Sequence, residues 1–237
     1  RVLLIDGSGL GIIGGAAVGI LVYELFHYGY HRLAHRSEFL WRFHQMHHSA
    51  ESVDAFGANY IHPVDAAFFT TASALVFYPL LGLQLEAGIL GALFLTFNAM
   101  FQHANIKTPH WLGYVIERPE SHAIHHGRGI HRYNYSDLPL WDMLFGTFRN
   151  PRSEAEVPAE AGFYKGASSR LFALLFARDV TKPGYYRPTL STEGRVTSNE
   201  GQKLDSGLRR NDERTEVLNP PVDYEVAVYD QRRLEGV

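Results

Sequence analysis

Three apolar runs constrain this chain more than any other feature: Leu10 to Phe26, Ala66 to Leu83 and Ala87 to Phe101. At about 1.5 Å rise per residue, such runs come close to spanning a hydrocarbon core of roughly 30 Å. A chain inside lipid must satisfy its own backbone hydrogen bonds, so each run reads as a helix. Only Gln84, Leu85 and Glu86 separate the second run from the third, which predicts a tight hairpin. Gly11, Gly14, Gly15, Ala16, Ala17 and Gly19 give the first run a surface that lets another helix approach closely. The expected fold class is all-α, an integral-membrane helical bundle with spans at about 10–26, 66–83 and 87–101.

Charge and punctuation place the rest. Arg32, Arg36 and Arg42 follow the first span, whereas the hairpin turn carries no Lys or Arg, so the positive-inside rule puts the side that bears them in the cytoplasm. Beyond His103 the chain turns polar and is broken by Pro109, Pro119 and Pro139, as expected of a helical cytoplasmic cap. Arg170 to Arg178 encloses an apolar stretch too short to cross a bilayer, suited to the interface or to covering the core. From Thr189 onward Ser, Thr, Asn, Glu, Gly and Arg dominate. Residues 181–237 are therefore expected to be a polar, disordered tail behind a membrane-embedded domain of residues 1–180. A net charge of -3 with scattered Lys and Arg argues against nucleic acid as a partner.

The chain has no cysteine, so any metal must be held by nitrogen or oxygen. It has thirteen histidines, and all but His131 fall between His27 and His126. Glu24, His27, His31 and His35 recur every three or four residues and form one stripe on a helix leaving the first span. A polar stripe there is costly unless it faces a site. His44, His47 and His48 have spacing i, i+3, i+4, and His122, His125 and His126 repeat it, which predicts two metal ions or one overbuilt site. His103 ends the third run at the same boundary. The candidate ligands are His31, His35, His44, His47, His48, His103, His122, His125 and His126, with no catalytic residue beyond them. Ligating imidazoles usually donate their second N–H to a carboxylate or carbonyl. Candidates for supporting roles are His27, Asp54, Glu120, His131, Asp137 and Asp142. His62, followed by Pro63, is expected to orient a helix entry. The Glu-x-x-His of carboxylate di-iron bundles and the His-Glu-x-x-His of zinc proteases are both absent.

The segments His31-Arg32-Leu33-Ala34-His35, His44-Gln45-Met46-His47-His48 and His122-Ala123-Ile124-His125-His126 resemble, in order, the three histidine boxes of the sterol desaturase and fatty acid hydroxylase superfamily. Further similarities are His62-Pro63-Val64-Asp65, His103-Ala104-Asn105, and Asn134-Tyr135 followed by Leu140 to Thr147. Ser136 stands where family members commonly carry glycine. The resemblance covers about residues 20 to 150. It implies a dinuclear iron centre, O2 as co-substrate, and hydroxylation or desaturation of a lipid such as a sterol or fatty acyl chain. It also implies a separate electron donor, whether cytochrome, ferredoxin or reductase. Zinc is the ion a purified form could carry instead. The competing reading is a non-redox membrane zinc-binding or metal-transport protein. Against transport, Leu10 to Leu21 and Ala66 to Leu83 hold no ionisable side chain that could mark a path.

Overall fold

The computed structural model describes residues 4–183, so most of the tail expected to be disordered lies outside the described residues. Those residues are helical and contain no strand, only an isolated antiparallel bridge between Gly127 and Ala161. The helices are α1 (Gly11–Ala34), α2 (Glu38–His48), α3 (Pro63–Leu75), α4 (Leu85–His103), α5 (Pro119–His125), α6 (Pro139–Phe145) and α7 (Leu171–Leu175).

Among the described residues, two stretches are long and apolar enough to cross a membrane: Ser8–Ala34, which includes α1, and Leu85–His103, which is α4. Their outward faces are apolar and bare, with Ile13 at 79% and Leu93 at 63% exposure. Exposure of that kind along whole helices marks a surface that lipid covers. The middle run departs from the single span expected over 66–83. It begins as α3 and passes into a π-helical segment, Val76–Leu80, that contains Pro79. Proline has no N–H and its ring crowds the preceding turn, so the register widens, and Leu81 N–H reaches back five residues to the Val76 carbonyl at 3.0 Å. The carbonyls of Pro79, Leu80 and Leu81 accept N–H groups from Leu4, Ile5 and Gly7, which satisfies backbone that lipid could not.

Small residues bring α1 close to α4 and the π-helical segment. A Cβ placed on Gly15 would stand 3.0 Å from the Ala87 Cβ, and one on Gly19 would stand 2.8 Å from Leu83 and 3.0 Å from the Phe77 ring. Tyr23, Val76, Phe77, Leu81, Leu83 and Ala87 fill the space between them.

Helix ends on the polar side are set by local chemistry. Ser37 caps α2 by accepting the Leu40 N–H. His62 caps α3, where its Nδ1 accepts the Val64 N–H at 3.1 Å ahead of Pro63 at the first helical position. Gly146, at φ 75°, ends α6 in the left-handed region that glycine adopts without strain. Near the end of the described chain, Gln45 clamps the segment after α7, donating to the Arg178 carbonyl at 2.9 Å and accepting the Val180 N–H at 3.0 Å. Leu174 packs against Met46, while Phe172 and Phe176 stay exposed, so this short apolar stretch covers α2 on one side only.

The close contact yields a paired expectation. Gly19→Leu overfills the contact with Phe77 and Leu83 and should lower stability by about 1–3 kcal/mol. Gly29→Ala, on the same helix but with open space around its Cβ, should raise stability by about 0.5–1 kcal/mol. Thermal unfolding of the detergent-solubilised protein measures both, and equal destabilisation by the two would contradict the packing described.

Candidate metal centre

The polar ends of α1, α2, α4 and α5 meet at one place, and each delivers histidines to it. Two compact groups result. His31, His35, His44, His48 and His125 form one, and His47, His103, His122 and His126 form the other; within each group the ligand nitrogens lie within 4.8 Å of one another. The structure thus brings together all nine residues expected to hold metal. Neither triplet serves one group alone. His44 and His48, one helical turn apart, face the first group and His47 the second, while on α5 His125 faces the first and His122 and His126 the second. The groups share α2 and α5, and the His48 and His126 rings stack at 4.4 Å.

Hydrogen bonds fix which nitrogen of several rings points inward. The Nδ1–H of His31 donates to the Tyr135 carbonyl at 2.7 Å, that of His125 to the Tyr133 carbonyl at 2.7 Å, and that of His103 to the Ala99 carbonyl at 2.7 Å. The Nδ1–H of His44 donates to Asp65 Oδ2 at 2.9 Å. In a neutral imidazole this leaves Nε2 as a bare lone pair. The inward nitrogens crowd: Nε2 atoms of His44 and His48, and of His48 and His125, stand 3.2 Å apart, and those of His47 and His103 stand 3.1 Å apart. His31 Nε2 and His35 Nε2 are buried with no hydrogen-bond partner. Burial first, and neighbouring imidazoles after it, push His35, His47, His48, His122 and His126 well below the ordinary histidine pKa; burial does the same to His125. Burial thus favours the neutral form of these six rings, the form that binds metal. Lone pairs converging without protons need a cation between them, so both groups fit divalent metal bound through nitrogen.

The supporting residues expected from sequence fall in different places. His131 Nδ1 lies 3.3 Å from His48 Nδ1, and burial lowers its pKa to about 4. Asp142 accepts the N–H groups of Tyr135 and Ser136, both at 2.8 Å, and so holds the loop whose carbonyl orients His31. His27 stacks on His31 at 5.5 Å and 9°, outside both groups, beside Glu24 and Asp137. Asp137 accepts from Gln102 at 2.9 Å and makes no hydrogen bond to a histidine of either group. Asp54 is exposed, and it accepts N–H groups only from Phe56 and Gly57 in its own turn. Glu120 instead takes Thr108 and Arg118.

The carboxylate that does reach a cage histidine is Asp65, which sequence reasoning passed over. It is fully buried, and its second oxygen accepts the Tyr30 hydroxyl at 2.5 Å. Its signal was present: an acid three residues after His62, in the first turn of a helix capped by that histidine. Glu117 was also missed. Fully buried, with neither carboxyl oxygen hydrogen-bonded, it has a pKa raised well above the carboxylate range by burial and then by Asp142 and Asp137, so it is a neutral acid.

A cavity of about 10 Å³, the room one water needs, opens onto the second group between His47, His103 and His126 and the wall formed by Ala50, Ser52, Val53 and Gly57.

Asp65→Asn should weaken divalent-metal affinity by roughly 10–100-fold, the usual effect of removing a ligand's outer partner. Competition against a chelator of known affinity would show it, and unchanged affinity would mean that Asp65 does not orient His44.

Residues 16–147 match the fatty acid hydroxylase family model. Among curated proteins, the chain is similar to an ornithine lipid hydroxylase of Rhizobium tropici, with 30% identity over 56% of this chain and 41% of the relative. It is also similar to the alkylglycerol monooxygenase of Danio rerio, with 31% identity over 53% of this chain and 28% of the relative. A third relative is sphinganine C4-monooxygenase 1 of Arabidopsis thaliana, with 28% identity over 54% of this chain and 52% of the relative. The chain thus spans about half the length, or less, of these relatives. No solved structure matches significantly.

Proposed function

The chain belongs to the fatty acid hydroxylase family, and from that premise we propose that it is a membrane-bound monooxygenase that hydroxylates a lipid with O2 at a di-iron centre. Its ligands are His31, His35, His44, His48 and His125 for one iron, and His47, His103, His122 and His126 for the other. The observation that carries this reading is the convergence of nine imidazoles in two buried groups, with Nδ1–H bonds turning the Nε2 lone pairs of His31, His44 and His125 into the first and that of His103 into the second. The all-nitrogen ligand set suits borderline divalent ions such as iron. Bound there, a pair of iron ions supplies the redox chemistry that no side chain can perform on an unactivated C–H bond. Hydroxylation is favoured over desaturation because the similar proteins are named hydroxylase or monooxygenase.

The protein's own contribution is orientation and exclusion. Tyr133, Tyr135, Ala99 and Asp65 hold four imidazoles in one tautomer, so these four present Nε2 to a metal without turning. Trp41 stacks on His48 at 5.4 Å and lies 5.1 Å from His35, which shields the first group from water. The second group has the small opening, and there we place the approach of O2. Residues 1–180 form the catalytic domain in this reading. The lipid reaches it from the bilayer, along the apolar faces of α1 and α4. By the positive-inside rule, Arg32, Arg36 and Arg42 favour a cytoplasmic position for the cage, where a separate cytochrome, ferredoxin or reductase would deliver electrons.

The test combines metal analysis of the purified protein with oxygen uptake in the presence of a reductant, an electron carrier and a lipid panel. The panel includes an ornithine lipid, an alkylglycerol and sphinganine. Iron in both groups and a product heavier by one oxygen atom are expected. His48→Ala and His126→Ala, one from each group, should each cut turnover by more than the roughly 10–100-fold caused by losing a mere partner of a ligand. Stoichiometric zinc with no oxidation of any lipid by the iron-reconstituted protein would overturn the oxygenase reading in favour of non-redox zinc binding.

A further inference from the structure

Directly beside the cage, on its α1 side, lies a third group of chemically different composition. Glu24 and His27 project from one face of α1, and Asp137 comes from the loop before α6; their ligand atoms lie within 4.8 Å of one another. We infer that Glu24, His27 and Asp137 form a separate site for a divalent cation, distinct from the two histidine groups.

Three observations support it. The first is spacing. His27 Nδ1 stands 3.6 Å from Glu24 Oε2 and 3.8 Å from Asp137 Oδ1. These distances are too long for hydrogen bonds, but they suit two ligands on one ion with bonds of about 2.0–2.2 Å. The second is unmet valence. Glu24 is fully buried and leaves Oε1 without a partner, and His27 Nδ1, which faces both carboxylates, is buried and unpartnered as well. A native structure rarely leaves such atoms unsatisfied.

The third is charge. Buried carboxylates are stable only when a cation compensates them, and a divalent ion between Glu24, His27 and Asp137 supplies one. The two oxygens nearest His27 are themselves held in position by hydrogen bonds, each with acceptor capacity left for an ion. Glu24 Oε2 accepts the N–H groups of Asp137 and Leu138 at 2.8 and 3.3 Å, and Gln102 holds Asp137 Oδ1 at 2.9 Å. One nitrogen and two carboxylate oxygens suit zinc, manganese or ferrous iron, with water completing the sphere.

Such an ion ties α1 to the loop that serves the cage. The His27 ring stacks on His31, and Asp137 follows by two residues the Tyr135 whose carbonyl fixes His31. Filling the third site therefore stiffens the first histidine group.

The test is zinc stoichiometry. The full chain is stripped with a chelator, titrated with Zn2+ alone, freed of unbound metal and analysed for zinc per chain. Three ions per wild-type chain are expected, one for each group. The isosteric double variant Glu24→Gln/Asp137→Asn, which keeps the acceptors for Leu138 and Gln102, should hold two. The variant His48→Ala/His126→Ala should retain the third ion while losing metal from the cage. A Glu24→Gln/Asp137→Asn chain that holds as many ions as the wild type, whether two or three, overturns the inference. If the cage takes no metal and this site takes one, the oxygenase reading fails and the third site stands.

Discussion

An imidazole ring has two nitrogens, and committing one of them to an oxygen decides what the other can do. In this protein the commitment is made four times, to the carbonyls of Tyr133, Tyr135 and Ala99 and to Asp65. Each bond fixes a tautomer and turns a lone pair inward. Inward lone pairs repel one another, and the structure concentrates them where burial also disfavours protons. Each such bond is worth about 1 kcal/mol, too little to stabilise a fold, yet together they define a site that a cation can complete. The helices, their caps and their close packing are arranged to hold that unfavourable concentration of acceptors in place.

The membrane half of the molecule contributes through close packing. Because Gly15 and Gly19 admit Ala87, Leu83 and Phe77 into contact with α1, α1 and α4 run side by side to the polar boundary. The histidines at their ends arrive together: His31 and His35 from one, His103 from the other. Larger residues at the glycine positions would splay the helices and separate ligands that must lie within a few ångströms. In lipid, where no hydrophobic force drives helices together, such steric fit is the main source of association.

Much of this was legible in the sequence because spacing translates directly into geometry on a helix. His31 and His35 share a face, as do His44 and His48, and the nine expected metal-holding residues are the nine that converge. Two apolar runs became membrane-length helices for the same reason, since their period and length need no tertiary information. What the spacing did not reveal depends on pairs distant in the chain. Asp65 finds His44 only once α3 folds beside α2, whereas Asp54, nearer in sequence and equally acidic, stays in its own turn. The middle run could not be told from a regular span, because the effect of Pro79 depends on whether the widened turn finds donors for its carbonyls, and those come from Leu4, Ile5 and Gly7. The division of each triplet between two groups was likewise hidden, because it depends on how α2 and α5 face each other.

The loop from His131 to Ser136 shows why backbone, rather than more side chains, orients the cage. His131, Tyr133 and Asn134 all have positive φ, at 41°, 70° and 49°, without being glycine. Each such residue costs on the order of 1–3 kcal/mol and persists only where its surroundings over-determine it. Here they do. Asn134 donates to the carbonyls of Ser121 and Arg149 and accepts the Arg149 N–H, its own N–H reaches the Thr147 carbonyl, and Asp142 takes the two N–H groups that follow. A relaxed loop would turn the Tyr133 and Tyr135 carbonyls elsewhere. His125 and His31 would then be free to present either nitrogen. The strain is thus the physical condition for two carbonyls, two residues apart, to face two different histidines of the same group.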